Sequence, residues 1–98
     1  MFGKRFLRTV NSTVGAVGAA SAEIVSNLVA GKAYVFCSST ACWIKQGPTG
    51  TITASKASGS SFVGAGVEID IHGSNGNSLA VIQDAAGGNA SITPVDEI

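Results

Sequence analysis

Apolar and polar residues alternate most regularly over residues 67–72. Val67, Ile69 and Ile71 fall on one side, and Glu68, Asp70 and His72 on the other. A period of two marks a β-strand with one buried face, and antiparallel sheets are those that leave the second face in water. Shorter runs of the same texture fill the rest of the chain from Glu23. Residues 23–29 alternate loosely up to the turn Ala30-Gly31-Lys32. Residues 33–38 gather the β formers Tyr34, Val35, Phe36 and Cys37. Residues 41–46 carry Trp43 and Ile44, and Gly47-Pro48-Thr49-Gly50 is a strong turn signal. Residues 51–54 read as a short strand and residues 55–61 as a polar Ser/Gly loop. Phe62 and Val63 open a run that breaks at Gly64-Ala65-Gly66. Residues 78–83 and 89–95 complete the set, separated by the turn at 84–88. Asn75-Gly76 is a favoured hairpin dipeptide, and Pro94 predicts a sheet edge or a strand end.

Turn signals every eight to twelve residues or so leave no room for a long core helix. About seven short strands fit, which predicts an all-β fold: a small antiparallel β-sandwich or jelly-roll-like barrel. Residues 1–22 differ. Phe2, Phe6, Leu7 and Val10 have helical spacing with Lys4, Arg5 and Arg8 between them, and a small, flexible Gly/Ala run follows. The expected organisation is a basic N-terminal arm over 1–22 and a β domain over 23–98. The arm's basic residues, small-residue run and Ala20-Ser21-Ala22 mimic a secretory signal, but Asn11, Ser12, Thr13, Gly15 and Gly18 weaken its apolar stretch. The segment therefore reads as an arm. No run approaches the roughly 18 apolar residues of a membrane helix.

Composition sharpens this picture. Of 98 residues, 45% are hydrophobic and 12% charged, with formal net charge zero. An average domain carries about 25% charged residues. A surface so poor in charge has little repulsion to keep copies apart, and a chain this short gains from association. Self-assembly is the expected state, with a trimer among the forms it allows. The neutral balance argues against a global polyanion-binding role, so nucleic acid is not an expected partner.

Candidate chemistry is sparse. His72 is the only histidine, and a neighbouring acid on the same strand is automatic rather than diagnostic. No nucleophile elbow or P-loop is present, so no enzyme activity, catalytic residue or cofactor is expected. Cys37 and Cys42 with one distant His give no zinc set. A disulfide between them would be geometrically open if residues 38–41 formed a hairpin loop; two small half-buried thiols are the simpler reading. Glu68, Asp70 and Asp84 would make a calcium site only if a turn gathered them. Trp43 reads first as a packing anchor; beside Lys45 it is also a candidate for stacking on a ligand. In the arm, Phe2, Arg5, Phe6 and Arg8 mix apolar and basic groups and are the expected partner interface. Three positive charges are too few for strong membrane binding, at about 1 kcal/mol each.

Four phrases of the chain resemble a family of small tailed-bacteriophage virion proteins. They are Gly31 to Tyr34, Ser39 to Gly47, Phe62 to Val67 and Leu79 to Gly88. The family often has Pro where this chain has Gly64, and residues 1–22 lie outside the resemblance. The resemblance implies a compact β-sandwich or jelly-roll module located in the virion. It implies a capsid decoration or cement protein that contacts the major capsid protein or other virion proteins, without enzymatic activity. A neck, tail or fibre component is the alternative. Apart from the resemblance, Trp43 and the loop 55–61 suggest a module binding glycans or a host surface.

Overall fold

A computed structural model describes residues 6–8, 13–56, 59–73 and 77–97. Among these described residues nine strands build two antiparallel sheets: β1 (Phe6–Arg8), β2 (Thr13–Val17), β3 (Ala22–Leu28), β4 (Ala33–Ser38), β5 (Cys42–Pro48), β6 (Ser61–Val63), β7 (Ile69–His72), β8 (Asn77–Gln83) and β9 (Gly88–Glu97). The first sheet runs β1-β9-β4-β7, with β2 also on β9; the second runs β3-β8-β5-β6. β1 and β2 lie end to end along one side of β9, pairing with residues 97–95 and 92–88 respectively. Taken together as the first of eight strands, they give sheet orders 1-8-3-6 and 2-7-4-5. That is jelly-roll order, in accord with the sandwich or jelly roll expected from the sequence.

Alternation sets the core. In β4, Tyr34, Phe36 and Ser38 are buried and the residues between them half-buried; in β5, Cys42 and Ile44 point inward. The inward side chains of both sheets, with Phe36, Leu79, Val81 and Ile92 at the centre, form one apolar cluster. Replacing the fully buried Phe36 by Ala would cost about 3–5 kcal/mol.

β8 is buried on both faces. Leu79 and Val81 enter the core, while Ser78 and Ala80 lie under residues 49–55, which cross the outside of the second sheet. That segment is anchored at three points. Thr49 Oγ1 and Ser78 Oγ stand 2.7 Å apart, the Glu23 carboxylate accepts from the Gly50 N–H, and Ser21 Oγ accepts from the Ala54 N–H at 2.8 Å. Ile52 lies over Gly47, where a Cβ would meet the Ile52 Cδ1 methyl and push that side chain aside.

Several expectations need correction. Residues 51–54, expected as a strand, are this irregular strap. The strand expected over 67–72 is confined to Ile69–His72, and Val67 is exposed. Phe6 and Leu7, given helical spacing, lie in a strand, and residues 13–17 of the expected arm form β2, whose Val17 is in the core. A strand ladder offered by β9 outweighs local periodicity in so short a segment. Pro94 sits inside β9 rather than at its end. Among the described residues β1 pairs with residues 95–97 and β2 with residues 88–92, so Pro94, which has no N–H to give, lies between the two sets of partners. Consecutive strands seldom form hairpins: β7 and β8 flank the Asn75-Gly76 signal but belong to different sheets. Turn residues fix where the chain reverses, not which sheet receives the next strand. The Asn75-Gly76 dipeptide itself lies outside the described residues.

The tightest backbone approach is at Gly73, whose N–H donates to the Lys32 carbonyl at 2.9 Å. A Cβ there would collide with the Val29 carbonyl, whereas one on Gly18 would meet open space. Gly73→Ala is expected to lower stability by about 1–3 kcal/mol, read as a lower urea midpoint. Gly18→Ala should leave it within about 0.5 kcal/mol.

Candidate functional site

The most distinctive surface lies on the outer face of the second sheet, beyond the end of the strap. Since Cys42 and Ile44 point inward, Trp43 must point outward. Its cross-strand partners are Phe62 on β6 and Ile82 on β8, so the three form a straight row across the sheet. Trp43 and Phe62 pack edge to face, with centroids 5.2 Å apart and planes at 65°. Trp43 Nε1–H donates to Asp84 Oδ1 at 2.9 Å, which fixes the ring's rotation. Phe62, on the edge strand β6, is 52% exposed, so the row ends in a large apolar side chain open to solvent.

Lys45 and Asp84 bracket this row. Lys45 is two residues along β5 on the same face and exposed. Its ammonium lies over Gly59, where a Cβ would stand 3.6 Å away. Asp84 follows Ile82 in the opposite direction. Neither Lys45 nor Asp84 Oδ2 makes a hydrogen bond or ion pair to the described residues. The row is therefore apolar, with a donor on one flank along the strands and an acceptor on the other. Trp43 is thus half-buried outside the core cluster, which corrects its reading as a packing anchor. The inward positions beside it are taken by smaller residues. Sequence reasoning missed Phe62, Ile82 and Asp84 as its neighbours, because cross-sheet register carries no local signal.

The other candidates are dispersed. His72 and Asp70 are exposed on the outer face of the first sheet, where with Ala33, Val35 and Val95 they line a hollow of about 80 Å³. Glu68 and Asp70 belong to the β7 region of one sheet, while Asp84 follows β8 of the other. Among the described residues no three His, Cys, Asp or Glu side chains are grouped to hold a metal ion. Of the arm residues, Phe6 and Arg8 lie in β1, with Glu97 and Val95 as backbone partners. Phe2 and Arg5 lie outside the described residues.

Both thiols are free. Residues 39–41 do not close a hairpin but carry the chain from one sheet to the other, so Cys37 faces outward and Cys42 into the core. Burial pushes the Cys42 thiol above its ordinary 9.0, against the smaller lowering effect of a hydrogen bond with Ser38.

Compared with protein-family models, curated proteins and solved structures, the chain has no match.

A raised thiol pKa favours the neutral form in the folded state. Its contribution to stability is complete below the unfolded value and is lost as pH rises through the folded one. Unfolding free energy should therefore fall above about pH 9. In Cys42→Ala that slope should be shallower, as measured by urea titrations at stepped pH.

Proposed function

We propose that this chain is a non-enzymatic structural protein of a virus particle, a capsid decoration or cement subunit that binds the major capsid protein or other virion proteins. Three things support the reading. The sequence phrases resemble small tailed-phage virion proteins. The jelly roll is an architecture that viral capsid domains use repeatedly. The low-charge surface suits dense packing against copies or partners.

The observation that carries the reading is the state of the N-terminal segment. Among the described residues β1 spans Phe6–Arg8 and pairs with β9, and β2 begins at Thr13. So short a ladder opens at little cost compared with the core strands. Its residues can leave β9 of their own copy and pair with β9 of a neighbour, the exchange of an identical element that converts monomers into assemblies. Phe6 and Arg8 of β1 are the proposed contact, together with Phe2 and Arg5, which precede it in the sequence. Many weak contacts of this kind across a shell reinforce one another. A neck, tail or fibre position is the second form of the same reading, and copy number per particle separates the two.

Light scattering tests the arm. The full chain is expected to be oligomeric, and a chain beginning at Thr13, which keeps β2 and Val17, to be monomeric and folded. An oligomer that survives truncation would remove the arm from assembly. A monomeric full chain would overturn self-association through β1.

A further inference from the structure

We infer that the Trp43–Phe62–Ile82 row is a binding site for a neutral oligosaccharide. This goes beyond the structural role proposed above and stands or falls separately from it.

Four properties of the row point to this ligand class. The first is preorganisation. Asp84 holds the indole by its N–H, so the ring loses little freedom on binding. The second is shape. Two rings inclined at 65° form a corner rather than a flat plate, with Phe62 open to solvent. A pyranose ring fits this shape, because its C–H groups lie against an aromatic face while its hydroxyls project sideways. The third is the pair of free polar groups. Lys45 Nζ donates and Asp84 Oδ2 accepts, and hydroxyls satisfy both. The rows of Lys45 and Asp84 lie about 13 Å apart along the strands, at about 3.3 Å per residue, which leaves space between them for linked sugar rings. The fourth is size. A stable protein interface covers about 800 Å² per partner, more than three side chains provide, and the strap 49–55 bounds the patch on one side.

The same features disfavour the other occupants. A nucleic acid strand stacks bases but brings phosphates, which Asp84 would repel, and the six Lys and Arg of the chain are balanced by six acids. A second copy would place Lys45 and Asp84 in a desolvated contact, at a cost that a patch this small does not offset.

Trp43 is the only tryptophan, so its fluorescence reports the site directly. The full chain is titrated with chitohexaose, cellohexaose, maltohexaose and mannohexaose, and with heparin as a polyanion control. The expected result is a saturable change in Trp43 emission with at least one neutral sugar. Phe62→Ala should bind it about tenfold or more weakly, with an unchanged melting curve, since Phe62 is half in solvent on an edge strand. If that variant does not fold, Phe62→Leu removes the ring and keeps the apolar bulk. Asp84→Asn keeps an acceptor for the indole and replaces the free oxygen by a donor, so it should weaken binding as well. The inference is overturned if none of the four sugars gives saturation, if removal of the Phe62 ring leaves affinity intact, or if only heparin responds and salt abolishes the response.

Discussion

The fold depends on one crossing, the passage of the chain from the first sheet to the second at Ser38–Cys42. Backbone polar groups at such a corner are cut off from both ladders and must find partners nearby. Ser38, 1% exposed, supplies several. Its hydroxyl donates to the Thr40 carbonyl at 2.7 Å and accepts from the Thr40 N–H at 3.2 Å, while its carbonyl accepts from the Gly66 N–H at 2.8 Å. Beside it, Ser39 exchanges hydrogen bonds with Asn89, Thr40 Oγ1 donates to the Ala86 carbonyl, and the Asp84 N–H donates to the Ala41 carbonyl. The corner thus ties together the β4–β5 crossing, the β8–β9 turn and the loop before β7. An unsatisfied buried group there would cost about 1–3 kcal/mol. The Cys42 thiol lies against the same serine, so core and corner share a residue.

The position of the aromatic row follows from this frame. Asp84, which clamps Trp43, leaves β8 at the turn that the corner stabilises, and its own N–H is bound to Ala41. The carboxylate is thereby held where the indole needs it. At the other end of β8 the strap covers Ser78 and Ala80, so the outer face of the second sheet is divided into a covered half and an open half. The open half is where large apolar side chains meet solvent. A rigid sheet with one uncovered aromatic strip is a better platform for recognition than a loop would be, because its side chains are held by cross-strand packing.

Strand content and most turn positions were legible from period-two patterning and from Gly, Pro and Asn. β4, β5, β8 and β9 lie close to where Tyr34–Cys37, Trp43–Ile44, Leu79–Ile82 and Ala90–Ile92 suggest. The pairing was not legible. Gly73 and Asp84–Gly87 mark reversals, yet the strands on either side enter different sheets, because long-range pairing is decided by the shared core and not by the turn. β2 was hidden because Gly15 and Ala16 have little β propensity. Gly15 is small for a packing reason instead, since a Cβ there would press on Ile24 Cγ2 at 2.7 Å. Of the site, Trp43 was visible as a residue type. Its outward direction needed the register of β5, and its partners Phe62, Ile82 and Asp84 came from positions 19 to 41 residues away.

The change of register along β9 has a further consequence. A jelly roll keeps open edges, and a long regular edge is a template on which unrelated chains add strands. From the pair Arg8–Val95 to the pair Thr13–Ile92 the chain advances five residues on one side and three on the other, so the described pairings of β1 and β2 do not belong to one regular ladder. An incoming strand that matched β2 would be out of step with β1, which disfavours a continuous ladder between molecules at this edge.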